Sequence, residues 1–431
     1  MPSGSRTIVL DYLARVEGEG ALHITVDGGQ VTDLRLRIFE PPRFFEAFLR
    51  GREAREVPDL TARICGICPV AYQMSAVHAL ERAFDIAIDQ RIRALRRLYY
   101  CGEWIESHAL HIHLLAGPDF LGCESAVTLA QKDRAAVERG LRMKKTGNAI
   151  VALLGGRSVH PVGACIGGFT RAPRPAELQA LRDPLRRLRE DALACVQWVA
   201  GFDLPDRAVD MEFVALRHPD EYPLNEGALV SSRGLWCPQT AFEAHFEEFQ
   251  VPHSTALHAR IVGRGPYCVG PLARVNLNFD RLGPEVTEAA RATGLAWPNA
   301  NMHTSIVARA LEILYAAGEA ERIIECYEQP DPSAVTFAPR AARGCAVTEA
   351  PRGILYHAYE TDAQGLITAA RIVPPTSQNQ AQIEAELREA APALLRRPHA
   401  QAVRACETII RNYDPCISCS THFLRLTVDE R

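Results

Sequence analysis

The chain has 431 residues, of which 47% are hydrophobic and 23% charged, an ordinary globular balance with material for a large core. Its formal net charge of -4 presents no basic face to nucleic acid or to an anionic membrane. The longest apolar run, AIVALLGG at 149–156, stops at Arg157, well short of the ~20 residues that a membrane-spanning helix needs.

In chain order, the opening MPSGSRTIVLDYLARVEGEG carries acids inside its apolar stretch and lacks a signal-peptide core; a cytoplasmic location is expected from the cysteine usage and the family branch described below. Residues 6–39 alternate apolar and polar positions around a DGG turn at 27–29, which predicts an N-terminal β-meander. From Pro69 to about Leu115 the period becomes helical. Ile92, Leu95, Tyr99, Gly102, Ile105, Ala109 and Ile112 advance by three or four residues and predict a long, buried helix. Further helical patterns cover 133–154, 176–202, 305–328, 378–395 and 399–412. Strand character falls at 208–240 and 352–374, the latter a hairpin turning at DAQG. No repeat or flexible linker divides the sequence. The expected architecture is one domain, 1–431, of α+β class, predominantly helical, with the β-meander and small sheets at its edge.

Thirteen cysteines, an odd number, suit reduced thiols doing metal or redox work better than a secreted disulfide framework. Four of them form two CxxC pairs: Cys65 and Cys68 in RICGICP, and Cys416 and Cys419 in DPCISCSTH. A CxxC turn brings two sulfurs within reach of one ion, and two such turns make a four-thiolate site. A structural zinc site is one reading. Zinc ribbons, however, place their pairs within ~15–20 residues, whereas these pairs stand near opposite ends of the chain and would tie its terminal thirds together across the interior. Sulfur alone does not choose among zinc, copper, nickel and iron. Arg63 beside the first pair and Asp414 beside the second would add opposite charges next to the thiolates, costly in a core unless compensated.

The two stretches resemble the hallmark motifs of the nickel-iron hydrogenase large subunit, Arg-x-Cys-Gly-x-Cys near the start and Asp-Pro-Cys-x-x-Cys-x-x-His at the end. The resemblance extends to RVEGEG at 15–20, RFFEAFLRGRE at 43–53, GGRSVHP at 155–161, EAPRG at 349–353 and VPPTSQN at 373–379, in the family's order. The context CPVAYQMSAVHA is most similar to the cytoplasmic, multimeric branch that exchanges electrons with NAD(P).

That resemblance implies the fold of the hydrogenase large subunit. It also implies a nickel held by all four cysteines, with Cys68 and Cys419 bridging to an iron that carries cyanide and carbon monoxide, and with Cys416 as the first proton acceptor. By the same likeness Glu17, in RVEGEG, would relay the proton onward; a carboxylate desolvated at a strand end is raised toward the working pH of a relay. The competing reading of EGEG is a polar hairpin turn. Arg352, after Pro351, would hold a guanidinium over the open metal position, a fork that lysine does not copy, against the reading of a surface hairpin. Thr376, preferred over Ser377, would donate to a cyanide. Glu46 and His422, with the backbone carbonyl near Ile372, would hold magnesium, although Glu46 also reads as an exposed helix residue. Two positions depart from the family pattern: Tyr72 stands where a histidine is common, and Ser107 where some relatives have an acid that pairs with the arginine. His108, His111 and His113 read as core or interface histidines.

FLRLTVDER, residues 423–431, resembles a maturation tail removed by an endopeptidase. No further cysteine group has iron-sulfur spacing, and the nine other cysteines read as core thiols. The resemblance therefore implies a small iron-sulfur subunit, with GGRSVHP and His160 as a contact surface, and a flavin or NAD(P) reductase module. Alternatives are a dihydrogen sensor, a zinc-stabilised scaffold, and a metal-free relative of respiratory complex I subunits, which retention of all four cysteines opposes.

Overall fold

The computed structural model describes residues 6–394 and 396–421. Its first element is the β-meander, strands β1 (Arg6–Leu10), β2 (Gly20–Asp27) and β3 (Gln30–Ile38), antiparallel in the order β1-β2-β3. The DGG turn closes it, with Gly28 and Gly29 both at positive φ, a conformation glycine adopts without steric cost. Ile8, Leu22, Ile24, Leu34 and Leu36 point to one buried face, as the period of two requires.

Helix α1 (Phe45–Leu49) leads into the first cysteine loop, and α2 (Pro69–Phe84) begins one residue after Cys68. Pro69 suits the first helical position because its missing N–H needs no partner there. The next two amides, of Val70 and Ala71, donate to the carboxylate of Glu103 at 2.5 and 3.1 Å, which satisfies the open helix start. The single long helix expected over 69–115 is two. Asp85 takes a left-handed conformation (φ 53) and ends α2, and Asp89 caps α3 (Gln90–Leu110) by accepting from the Arg91 amide. The helical path then widens into a π-helical segment, His111–Ala116.

α4 (Arg134–Gly155) and α5 (Arg182–Ala200) follow, the latter shorter than expected because 175–179 forms its own turn of helix. The 208–240 stretch gives β4 (Val214–Arg217), β5 (Ala228–Ser231) and β6 (Trp236–Cys237). A two-stranded hairpin of β7 (Phe246–Phe249) and β8 (His258–Ile261) comes next. α6 (Pro271–Asn278) was not expected; α7 (Ser305–Glu325) was. The last sheet has three strands, β9 (Ala342–Ala350), β10 (Gly353–Thr361) and β11 (Ile367–Val373), the first of them beyond the predicted hairpin. α8 (Pro375–Leu394), α9 (His399–Asn412) and the single turn α10 (Ile417–Ser420) are the last elements among the described residues.

The largest apolar cluster joins α2, α3, α4, α5 and α7 with β9 and β10, and includes Cys65, Cys68, Cys416 and Cys419. A second unites the meander with α8 and α9. The C-terminal loop thus enters the seam between the helical core and the meander. No helix among the described residues is long and apolar enough to cross a membrane.

Candidate metal centre

The four sulfurs converge. Sγ of Cys65 lies 3.5 Å from that of Cys416, Cys68 3.7 Å from Cys419, and Cys416 2.8 Å from Cys419, and all four fall within 4.8 Å of one another. Each cysteine is at most 4% exposed. The amides of Ile67 and Cys68 both donate to Cys65 at 3.3 Å, so the first loop folds around a sulfur as a backbone nest folds around an anion.

Two backbone devices bring the distant loops together. Arg43 donates through Nη2 to the carbonyls of Ile64 and Ser418, and its amide donates to Thr421 at 2.7 Å. One arginine therefore bridges both cysteine loops. Meanwhile Glu17 pairs with Cys416 as a one-residue parallel bridge, its carbonyl accepting from the Ile417 amide at 2.9 Å.

Burial sets the electrostatics. It opposes ionisation of Cys65, yet hydrogen bonds from the other three cysteines and the charge of Arg352 outweigh it and hold this thiol well below its usual range. Burial and neighbouring sulfurs drive Cys416 well above it; Cys68 goes the same way for the same leading reason. One thiolate is tolerated and further ones are resisted. Four thiolates in this volume need a multivalent soft cation, which is what the donor set fits.

Arg352 occupies the two-residue turn between β9 and β10. It is 2% exposed, so the surface-hairpin reading fails. Nε donates to the Asp414 carbonyl at 2.8 Å and Nη2 to Oδ1 at 3.3 Å, while buried Nη1 has no partner. Burial works against its charge, but Asp414, Cys416, Cys68 and Cys65 more than offset this and raise its pKa well above the usual value. A buried donor left open beside the sulfurs is the second feature that fits a liganded metal centre. Asp414, in the left-handed region at φ 54, also pairs with Arg309 at 3.4 Å. Burial would raise its carboxyl, yet Arg352, His111 and Arg309 bring it below the ordinary carboxylate range. The Pro351 carbonyl accepts from Arg274 at 2.9 Å, fixing the turn from behind.

Glu17 reaches the cluster from the loop between β1 and β2. Its Oε2 lies 3.1 Å from Sγ of Cys416 and accepts from the Ser418 amide at 3.0 Å, and Oε1 accepts from the Ser418 hydroxyl at 2.5 Å. Glu17 is half-buried and sits in a loop, not buried at a strand end as expected, because the meander edge leaves the carboxylate's outer side open. Glu19 is exposed.

Thr376, in the first turn of α8, accepts from the Cys416 amide at 3.0 Å, whereas Ser377 donates to Pro374 and Glu248. The Ile372 amide donates to Glu46 at 2.7 Å across the chain; His422 and 423–431 lie outside the described residues. Tyr72 is buried beside Cys68 and Cys419, its ring tilted against His357 at 5.6 Å. Ser107 is buried, its hydroxyl bonds to nothing, and Asp414 is the acid that meets Arg352. Arg63 is exposed, so the core cost expected of it does not arise: its long side chain leaves the loop toward solvent. His108, His111 and His113 bond to Glu312, the Arg411 carbonyl and the Ala109 carbonyl, as core histidines do. Cys326 is exposed and Cys123 and Cys165 are partly so, which corrects the core assignment for these three. Arg43, Arg309 and Glu103 were missed; Arg43 lies inside the RFFEAFLRGRE motif, and its place there was the available signal.

Surface clefts lined by residues such as Arg182 and Arg189, or Arg397 and Arg404, touch none of the cysteines.

The nickel-dependent hydrogenase family matches residues 43–141 and 263–422. The chain belongs to that family. Over 427 residues this hydrogenase is 32% identical to sulfhydrogenase 1 subunit alpha of Pyrococcus furiosus, with 97% of this chain and 98% of that protein covered. It is 28% identical over 472 residues to the NAD-reducing hydrogenase HoxS subunit beta of Cupriavidus necator, covering 97% and 95%. A solved NAD+-reducing NiFe-hydrogenase in its H2-reduced state superposes with a TM-score of 0.87 at 29% identity, over 97% of this chain and 99% of that one. A NiFeSe hydrogenase of Desulfovibrio vulgaris Hildenborough shares the fold, with a TM-score of 0.78 at 24% identity over 97% and 100%. The expected large-subunit fold is thus observed, and the buried four-cysteine group is consistent with the metal site of a nickel-dependent hydrogenase.

Proposed function

We propose that this subunit splits dihydrogen reversibly and delivers the electrons through an iron-sulfur small subunit to NAD(P) by way of a flavin-bearing module. The observation that carries the reading is the 3.1 Å approach of Glu17 to Cys416 inside a closed group of four thiols.

A nickel-iron centre, with cyanide and carbon monoxide on iron, supplies an electron-pair acceptor for an apolar and barely acidic substrate. Cys65 and Cys416 would be its terminal thiolates and Cys68 and Cys419 its bridging ones, a pairing in keeping with the 3.5 and 3.7 Å contacts. The chain's own part is proton management. Cys416 takes the proton at sulfur and Glu17 accepts it at Oε2. The Ser418 hydroxyl joins Glu17 Oε1 to Glu40, 3.3 Å from its Oε2, and burial raises the Glu40 carboxyl above its usual value, which suits a second acceptor on the way out. Arg352, whose buried Nη1 has no partner, would supply a donor to the centre, and Thr376, beside Cys416, would donate to a cyanide. Glu46 and the Ile372 carbonyl, with His422, would hold magnesium.

The partner reading draws on Val159 and Val162, 52% and 39% exposed around the GGRSVHP motif. His160 there bonds the Ala62 carbonyl at 2.9 Å and so links that surface to the first cysteine loop. Among the described residues the other potential metal-binding group is two histidines and a glutamate, which is no electron-transfer cluster. Maturation would include endopeptidase removal of 423–431.

The test is dihydrogen-dependent reduction of NAD(P)+ and of a viologen dye by the purified complex, with infrared bands for cyanide and carbon monoxide. Dye and NAD(P) turnover together support the reading; dye turnover alone removes the acceptor. Negligible turnover with intact infrared bands indicates a sensor, and zinc without nickel a scaffold.

A further inference from the structure

About two turns along α8 from Thr376, two imidazoles and a carboxylate converge. His253 Nε2 lies 2.8 Å from Oε1 of Glu384, and His258 Nε2 lies 3.4 Å from Oε2. One donor atom from each of the three falls within 4.8 Å of the others. The Leu36 amide, on β3, donates to Glu384 Oε1 at 2.9 Å. His258, on β8, is 1% exposed, yet its Nδ1 has no hydrogen-bond partner and its Nε2 reaches only Glu384, at 3.4 Å. His253, in the loop joining β7 to β8, keeps 20% of its side chain exposed and opens onto a cleft with Arg37, Phe39 and Gln250.

We propose that His253, His258 and Glu384 bind a divalent transition cation, zinc by donor chemistry, with water from the cleft completing its coordination. Two neutral imidazoles and one carboxylate are a recurring zinc donor set. The site offers too few oxygens for calcium or magnesium and no thiolate to select copper(I). Metal–ligand bonds of ~2.0–2.2 Å place tetrahedral donors about 3.4 Å apart. The observed 2.8 and 3.4 Å separations therefore need only small side-chain rotations. The Leu36 amide is the outer partner that such a ligating carboxylate requires. A mere ion-paired clip leaves Nδ1 of a buried imidazole without a partner and Nε2 with only a long 3.4 Å contact, which a folded chain ordinarily avoids; a cation bound at Nε2 gives that nitrogen a full partner.

The consequence is structural. The ion pins the β7–β8 hairpin and β3 onto α8, whose first turn carries Thr376 against Cys416. Nothing at this site depends on which acceptor the hydrogenase uses.

The experiment uses the purified hydrogenase complex, treated with a mild chelator, equilibrated with zinc alone and dialysed. Zinc per complex is then counted for wild type, His253→Gln and Glu384→Gln, and crystals are measured above and below the zinc absorption edge. Expected are one more zinc in wild type than in either variant, an anomalous peak bonded to His253, His258 and Glu384, and unchanged dye turnover in His253→Gln, whose partly exposed side chain makes folding failure a poor explanation. Equal zinc in wild type and His253→Gln, or a peak only elsewhere, overturns the proposal.

Discussion

Arg352 and Asp414 meet 3.2 Å apart, side chain to side chain, with both groups almost wholly buried. Each comes from a tight turn, one between β9 and β10 and the other at the end of α9. The second arginine on Asp414, Arg309, lets the pair be buried with its charges compensated, while Nη1 of Arg352 has no hydrogen-bond partner and under the proposed function would face the metal. Arg352→Lys keeps the charge but replaces the fork with a single ammonium that cannot serve both Asp414 and the metal site. Loss of one positioned donor costs about 10²–10³ in turnover. Dihydrogen oxidation should fall by that factor while nickel per chain stays at the wild-type value. A variant that loses nickel instead would make Arg352 a structural residue.

Glu17→Gln keeps an oxygen acceptor for the Ser418 amide, while its NH2 group can donate to the Ser418 hydroxyl, but it removes the carboxylate beside Cys416. The variant should retain its metals and slow isotope exchange between dihydrogen and solvent by about 10²–10⁴, the usual worth of a positioned proton-transfer group. Exchange at the wild-type rate would falsify the relay role. Glu40→Gln tests the next step, with a smaller decrease expected because Glu40 has access to solvent.

The cysteine pairs were legible because each is a local motif, and the meander and the amphipathic helices because periodicity is local too. The features that a linear reading passes over act across distance. Arg43 joins Ile64 to Ser418, and Arg309 reaches Asp414, yet a single arginine has no periodic signature. The strand 342–350 reads ARGCAVTEA, poor in branched residues; its place in the sheet comes from burial against α2. α8 starts at Pro375, three residues before the helical period does, since Pro375 and Thr376 serve its first turn and the Cys416 amide at once. The break after α2 turns on one left-handed aspartate. Glu17's partial burial is set by the sheet edge, which no reading of RVEGEG contains.

Gly18 marks how closely the RVEGEG loop must approach the last turn. Its φ is +92, and an added Cβ would sit 2.6 Å from Cβ of Ile417 and 2.5 Å from Oε1 of Glu40. Gly18→Ala must therefore push Glu17 away from Cys416 or distort α10. The left-handed backbone and the contact together should cost about 2–4 kcal/mol. Urea unfolding would report it, and reduced nickel retention should accompany it. Gly28→Ala is the control: also at positive φ, it has nothing within 4 Å, and should spare nickel.

Glu386 gives the hydrogenase a pH signature unrelated to catalysis. It is buried on α8 and accepts from the Tyr413 hydroxyl at 2.6 Å through Oε2, while Oε1 has no partner. Burial pushes its pKa up to about 7 from 4.5, only partly countered by Tyr413 and Arg207. Between those values the folded chain keeps a proton that the unfolded chain releases, so stability must fall as pH rises. The loss is complete above pH 7 and amounts to roughly 3 kcal/mol, at about 1.36 kcal/mol per unit. Glu386→Gln keeps an acceptor for Tyr413 and cannot ionise. Urea midpoints from pH 4.5 to 8 should therefore converge for the two proteins at the acid end and diverge in favour of the variant at the alkaline end. Parallel curves would mean that Glu386 titrates alike in both states, and that water reaches it through α8.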